Sequence, residues 1–122
     1  MSNGLRFITN RIKAFKYAFK GAYLLIRNEP SVQVQFIIAI LVTGAGFFFN
    51  ITSTEWVLQL LAIGLVISVE GLNTAVEKIA DFIHPDFHNK IGIIKDVAAG
   101  AVAFAAIIAA IIGFIIYYPY IF

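Results

Sequence analysis

The sequence has no cysteine and few charged residues, and both shortages narrow the possible classes of protein. Without cysteine the chain has no disulfide, no thiolate metal site and no cysteine nucleophile. Charged residues make up 13% of its 122 residues and hydrophobic residues 61%, against about 25% and about 45–50% in soluble domains. So small a soluble domain cannot bury that much apolar surface. The composition therefore predicts that the solvent of this protein is a lipid bilayer.

Two long segments contain no charged residue, and a third contains very few. The segments 30–54 and 97–122 are each longer than the roughly 20 residues that a helix needs to cross a bilayer. The third segment begins at Trp56 and continues past Glu70, so it can span only if Glu70 lies inside the membrane. We therefore predict an all-α membrane protein with transmembrane helices near residues 31–50, 56–82 and 96–118.

Basic residues are absent from the loop 50–55 and from the C-terminal tail. All nine Lys and Arg residues lie before the first span or around the connection between the second and third spans. Because short basic segments stay in the cytoplasm, we expect a cytoplasmic N-terminus and an external C-terminus. Apolar residues at helical spacing in the segment 5–28 predict an amphipathic helix on the inner membrane surface.

Small residues recur at every fourth position of the third span, at Ala101, Ala105, Ala109 and Gly113. Small side chains let helix backbones approach closely in lipid, so this stripe predicts packing within a bundle or oligomer rather than catalysis. Three thin helices bury few polar groups by themselves. We therefore expect a homo-oligomer.

The second span carries a polar face on an otherwise apolar helix. Glu70, Asn73, Glu77 and Asp81 fall within about 80° of one another around a helix. At 1.5 Å per residue, Glu70 lies about 21 Å and Glu77 about 31 Å from Trp56. In a hydrocarbon core of about 30 Å, Glu77 is then at the inner boundary and Glu70 is about two turns inside.

An ionisable side chain at the depth of Glu70 costs about 2.5–3.5 kcal/mol on insertion scales, which makes it a functional candidate. The alternative is a protonated Glu70 that contacts another helix in an oligomer. Glu29, after the first helix, is expected at nearly the level of Glu77. Two carboxylates from different helices can share a hard cation such as Mg²⁺, which prefers oxygen ligands.

Further charged and polar residues are expected at the same boundary. A basic rim around carboxylates and a metal would suit a polyphosphate, although lysines beside a bilayer also bind anionic lipid head groups. Asp96 has the alternative role of capping the third span. The sequence contains neither a P-loop nor the motifs of soluble kinases, so any nucleotide binds without them. The loop members are Asp86, His88, Lys90, Lys95 and Asp96.

The run from Glu70 to Glu77 has the pattern E-x-x-N-[ST]-A-x-E inside an apolar segment. It resembles the small prokaryotic diacylglycerol kinase / undecaprenol kinase family, and the likeness covers nearly the whole chain. The other residues that fit the family are Lys13, Tyr17, Lys20-Gly21, Asn28-Glu29, Asp81 and Lys95-Asp96.

The resemblance implies a homotrimeric enzyme of the bacterial inner membrane, active in phospholipid or lipid-carrier metabolism. It implies transfer of the γ-phosphoryl group of ATP, with Mg²⁺, to a membrane lipid alcohol, and no nucleic-acid partner. It also implies that Glu70 is the general base, that Asn73 supports the site, and that Glu29 and Glu77 hold the metal. The implied nucleotide-binding residues are Tyr17, Glu29, Glu77, Asp86, Phe87, His88, Lys95 and Asp96.

Three places depart from the family pattern. Gly71 stands where a branched apolar residue is usual, and the segment 30–33 lacks a basic residue often found there. Asn10 stands where a basic residue near the phosphates is expected, which leaves Arg11 or Arg6 for that role. The segment 95–102 looks more like members associated with undecaprenol, but the sequence leaves the choice between diacylglycerol and undecaprenol open. An alternative of another class is a non-enzymatic oligomeric membrane protein, such as a channel or assembly factor. It predicts ion flux without ATP consumption.

Overall fold

The computed structural model describes residues 2–122, and within this range the chain forms helices and short connections without any strand. The helices are α1 (Asn3–Asn28), α2 (Pro30–Phe49), α3 (Ser53–Ile83) and α4 (Asn89–Ile121). Three of them, α2, α3 and α4, are long and apolar enough to cross a membrane. The prediction of an all-α chain with three such helices is therefore confirmed.

A single extended residue separates α1 from α2. Glu29 has φ −106° and ψ 109°, because the proline that follows disfavours a helical backbone at this position. Pro30 then occupies the first position of α2, where its missing N–H costs nothing. The Gln33 amide donates to the backbone oxygens of Ile26 at 3.1 Å and Arg27 at 2.9 Å. These bonds fix the corner at which Glu29 lies.

The connection between α2 and α3 is a tight turn with caps on both sides. Asn50 ends α2 in the left-handed conformation, at φ 53° and ψ 53°. Thr52 and Glu55 form a reciprocal capping box at the start of α3. The turn brings Trp56 onto Gly46, where a Cβ atom would lie 2.7 Å from Trp56 Cη2. Only glycine fits at position 46 without displacing the indole ring.

The last helix begins at Asn89, well before the predicted start near residue 96. His88 is its N-cap, since the His88 Nδ1 atom accepts a hydrogen bond of 3.1 Å from the backbone N–H of Lys90. Asp96 therefore lies inside α4, and its predicted alternative role as the cap of this helix is wrong.

The most extensive packing joins α3 to α4, while α2 packs mainly against α3 and α1 contacts α2. The small-residue stripe takes part, because Ala105 is buried and Ala109 and Gly113 line a groove among α2, α3 and α4. By contrast α1 buries none of its residues. Most large apolar side chains of the chain are exposed, which is the surface expected of helices covered by lipid or by other protomers.

Candidate active site

The polar face of α3 changes from buried to exposed along the helix. Glu70 is only 6% exposed, Asn73 is half-buried, and Glu77 and Asp81 are exposed. The described part of the chain offers the Glu70 side chain no hydrogen bond and no ion pair. Glu70, the most enclosed of these carboxylates, has no partner in the described chain, and its depth in the membrane stays a prediction.

Asn73 provides a second unsatisfied group on the same face. Its Oδ1 atom is buried, yet no donor within residues 2–122 reaches it. An unpaired buried acceptor costs about 1–3 kcal/mol. Buried polar groups are nearly always paired, so the missing donor is expected from a bound molecule or a neighbouring chain.

Beside this face, a groove of about 370 Å³ lies between the C-terminal end of α1 and the C-terminal half of α3. A Cβ atom at residue 71 would lie 3.0 Å from Leu25 Cδ1, so the glycine leaves room for the Leu25 side chain. The departure from the family pattern at Gly71 therefore accommodates this side chain of α1. The groove is lined by Gly21, Leu24, Leu25, Asn28, Glu29, Gly71, Thr74, Ala75 and Lys78.

Glu29 lies at the N-cap position of α2, but its side chain makes no capping hydrogen bond. Instead its Oε1 atom lies 3.3 Å from the Nζ atom of Lys78, and 24% of the Glu29 side chain is exposed. The carboxylate is thus directed at α3 and across the groove. Lys78 was not among the predicted site residues. Its spacing of four from Thr74 and eight from Glu70 was the signal that could have placed it here.

The predicted metal ligands Glu29 and Glu77 have different surroundings. Glu29 contacts Lys78, whereas Glu77 is exposed. No group of three or more His, Asp or Glu side chains that could hold a metal occurs in the described range 2–122. A pair of carboxylates nevertheless matches the usual Mg²⁺ site of kinases, where phosphate oxygens and water complete the coordination. The assignment of these two residues stays a prediction.

The predicted nucleotide-binding residues of the α3–α4 connection lie at this same end of the bundle. Asp86, Phe87 and His88 are exposed, and the His84 Nδ1 atom donates to the backbone oxygen of Asp86 at 2.7 Å. The backbone between the two helices is therefore held by histidine side chains, which leaves the Asp86 carboxylate and the Phe87 ring facing outward.

Lys95 forms an ion pair with Asp81, with 2.5 Å between Nζ and Oδ1. This pair joins α3 to α4 one turn beyond Glu77. Asp96 is exposed on α4. Tyr17 is exposed on α1 and makes no hydrogen bond or ring contact with the rest of the described chain. The structure therefore brings Lys95 to the polar face of α3 but leaves Tyr17 apart from it.

A second polar cluster ties the opposite end of the bundle together. The Tyr117 hydroxyl lies 2.5 Å from Gln59 Oε1 and 3.0 Å from the backbone oxygen of Val42, to which Gln59 Nε2 also donates. The Tyr120 hydroxyl donates to Glu55 Oε1 at 2.5 Å. The hydroxyls of both tyrosines therefore connect α4 to the other helices. The sequence feature that could have indicated this cluster was Gln59, whose side-chain amide lies within an apolar run.

Substituting Tyr117 by Phe is expected to weaken the bundle by about 0.6–1.7 kcal/mol, the range measured for hydrogen bonds between membrane helices. The substitution leaves Gln59 Oε1 without its donor. Denaturation in mixed micelles, followed by circular dichroism, measures the change. Tyr118→Phe is the matched control, because Tyr118 is exposed and its hydroxyl bonds nothing in the described chain. Equal stability of the two variants would contradict the role given to Tyr117.

Comparison with known proteins agrees with this architecture. The family model described as prokaryotic diacylglycerol kinase matches residues 16–117. An undecaprenol kinase of Bacillus subtilis is 37% identical over 107 residues, which cover 88% of this chain and 87% of that protein. A diacylglycerol kinase of Escherichia coli K12 is 31% identical over 111 residues, covering 91% of each chain. A diacylglycerol kinase of Haemophilus influenzae is 30% identical over 105 residues, covering 86% of this chain and 89% of that protein.

The family model covers α2 and α3 completely, the second half of α1 and most of α4, so it includes the polar face of α3 and both of its ion pairs. Membership of a kinase family decides against the alternative of a non-enzymatic channel or assembly factor. The chain belongs to the prokaryotic diacylglycerol kinase family and is a phosphotransferase with an alcohol acceptor.

Proposed function

We propose that this enzyme transfers the γ-phosphoryl group of ATP to the hydroxyl of a membrane lipid alcohol at the inner face of the bacterial plasma membrane. The observation that carries the proposal is the burial of Glu70 without a partner in its own chain. A buried carboxyl group needs a hydrogen-bond partner. The hydroxyl of a lipid dissolved in the leaflet would be that partner.

The gradient of exposure along α3 supports this arrangement. Glu70 is enclosed, while Glu77 and Asp81 are accessible to water. A lipid alcohol carries its hydroxyl just below the head groups, whereas ATP stays in water. The two substrates therefore meet between the levels of Glu70 and Glu77, where Asn73 lies. In-line phosphoryl transfer requires such positioning of the attacking and leaving oxygens.

In the proposed reaction Glu70 accepts the proton of the lipid hydroxyl as general base. The lipid oxygen forms a bond to the γ-phosphorus, and the bond from that phosphorus to the bridging oxygen breaks to release ADP. Asn73 supports the site, and its unpaired Oδ1 atom is free to accept a hydrogen bond from the substrate. General base catalysis of this kind contributes about 10²–10⁴-fold to a rate.

The donor set suits a divalent metal. Glu29 supplies one carboxylate from the corner between α1 and α2, and Glu77 supplies a second, exposed one from α3. We propose that these two residues hold Mg²⁺ together with phosphate oxygens. When bound, the metal would neutralise charge on the phosphates. The proposed ATP contacts beyond these carboxylates are Tyr17, Asp86, Phe87, His88, Lys95 and Asp96.

The proposed placement puts the N-terminus and the α3–α4 connection in the cytoplasm and the C-terminus outside. The one-sided distribution of Lys and Arg supports it. On α1, apolar side chains such as Leu5, Ile8 and Ile12 are exposed, which supports a helix lying on the membrane surface. We also propose a homotrimer. The wide exposed apolar faces and the unpaired Asn73 oxygen support contacts between protomers.

The purified protein in detergent micelles is expected to transfer radiolabelled phosphate from ATP to a lipid alcohol only when Mg²⁺ is present. Diacylglycerol and undecaprenol are offered in parallel, and thin-layer chromatography shows which lipid carries the label. We expect faster labelling of undecaprenol, since the relative at 37% identity bears that name. Label on neither lipid would contradict the proposed function.

A further inference from the structure

Lys78 has no role in the proposed reaction, yet it contacts one of the proposed metal ligands. Its ammonium group lies 3.3 Å from Glu29 Oε1, and this ion pair joins the α1–α2 corner to α3. We propose that Lys78 is a tethered counter-ion that positions the Glu29 carboxylate and competes with the divalent metal for it. The inference rests on the proposed function, in which Glu29 is a metal ligand.

The fold directs Lys78 to this place. Residues 70, 74 and 78 are four apart and share one side of α3. Glu70 and Thr74 are buried on that side, whereas the Lys78 side chain is 72% exposed at the mouth of the groove. Lysine keeps its charged end in water while its stem lies along apolar surface. The ammonium group therefore meets Glu29 at the boundary between groove and water.

Glu29 has no competing task in its own chain. Its side chain does not cap α2, and Lys78 is its one ionic partner within residues 2–122. In the metal-free protein the Lys78 ammonium group therefore offsets the charge of the half-buried Glu29 carboxylate. A divalent ion that binds Glu29 must displace the ammonium group.

The displacement is reversible because the pair is weak. Exposed pairs of this kind contribute little, since water and salt screen them. A monovalent ion brings no more charge than the ammonium it replaces, whereas a divalent ion brings twice as much. Lys78 therefore raises the metal concentration needed for binding and favours divalent over monovalent cations.

The test measures Mn²⁺ binding without ATP or lipid substrate, from the electron paramagnetic resonance signal of free Mn²⁺ in the presence of the full-length protein in micelles. Lys78→Met and Lys78→Gln are each expected to tighten Mn²⁺ binding about two- to fivefold, the range set by the strength of an exposed ion pair. Lys16→Met is the matched control. It removes the same charge from an exposed side chain of α1 that has no ionic partner in the described residues. Its Mn²⁺ affinity is expected to equal that of the unmodified protein.

Glu29→Gln separates failure of this inference from failure of the metal assignment. If Glu29→Gln weakens Mn²⁺ binding but neither Lys78 variant tightens it, the competition is wrong and the metal ligand stands. If Glu29→Gln leaves binding unchanged, both are wrong. Tighter binding in Lys16→Met as well would mean that net charge rather than contact with Glu29 is responsible, which also overturns the inference. Phosphoryl transfer to lipid, measured separately, reports on the proposed function itself.

Discussion

Glu70→Gln is expected to lower kinase turnover by about 10²–10⁴-fold, the contribution of a general base. Glutamine has nearly the same size and keeps an oxygen acceptor, but it cannot take the proton of the lipid hydroxyl. The side chain is buried and unpaired in the described chain, so the exchange breaks no contact within the protomer. Radiolabel transfer to lipid measures the rate. Size-exclusion chromatography checks that the assembly is unchanged.

Glu55→Gln is the matched control for this experiment. It makes the same chemical exchange on the same helix, at the end remote from Glu70, where the side chain accepts hydrogen bonds from Thr52 N and the Tyr120 hydroxyl. An amide oxygen can accept both bonds, so turnover is expected to stay near that of the unmodified enzyme. A Glu70→Gln enzyme that retained near-normal turnover would remove Glu70 from the role of base.

Gly46→Ala is expected to destabilise the bundle by about 1–3 kcal/mol, the usual cost of forcing an extra methyl group into a packed site. The new Cβ atom would lie 2.7 Å from Trp56 Cη2 and 3.2 Å from Ile51 Cδ1. The ring cannot remain where it is, and the turn between α2 and α3 must shift with it. Denaturation in mixed micelles, monitored by Trp56 fluorescence, measures both the loss of stability and the movement of the indole.

Gly44→Ala is the control, because nothing lies within 4 Å of a Cβ atom at position 44. Alanine is the better helix former by about 1 kcal/mol, so this neighbouring substitution is expected to be neutral or stabilising. Equal effects at positions 44 and 46 would show that close packing at the turn does not limit stability.

The helices could be predicted because their limits depend on local chemistry. Pro30 fixes the break between α1 and α2, and uncharged runs long enough to cross a bilayer define the spans. The start of α4 was mistaken, since apolar character marks only the part of a helix expected in lipid. Its first turns mix isoleucines with Lys90, Lys95 and Asp96, and they begin where the His88 ring caps the backbone. An imidazole cap depends on ring orientation, which composition does not show.

The part of the candidate site that could be predicted is a charged residue within an apolar run. Contacts between residues far apart in the sequence could not be predicted in the same way. The burial of Glu70 follows from its position in an apolar run. The pairing of Lys78 with Glu29 depends on the angle between the α1–α2 corner and α3, which no local pattern encodes. The hydrogen bond from Tyr117 to Gln59 likewise joins residues far apart in sequence, and it requires α4 to return alongside α3.

The two ends of the bundle differ in how salt acts on them. Around Gln59 and Tyr117 the helices are joined by hydrogen bonds between uncharged side chains that are shielded from solvent. At the other end of the bundle they are joined by exposed ion pairs. At physiological ionic strength charges in water are screened over about 8 Å. Separating the helices therefore costs less free energy at the end that holds the ion pairs. Raising the salt concentration is therefore expected to weaken the contacts of Glu29 with Lys78 and of Asp81 with Lys95 before it weakens those around Gln59.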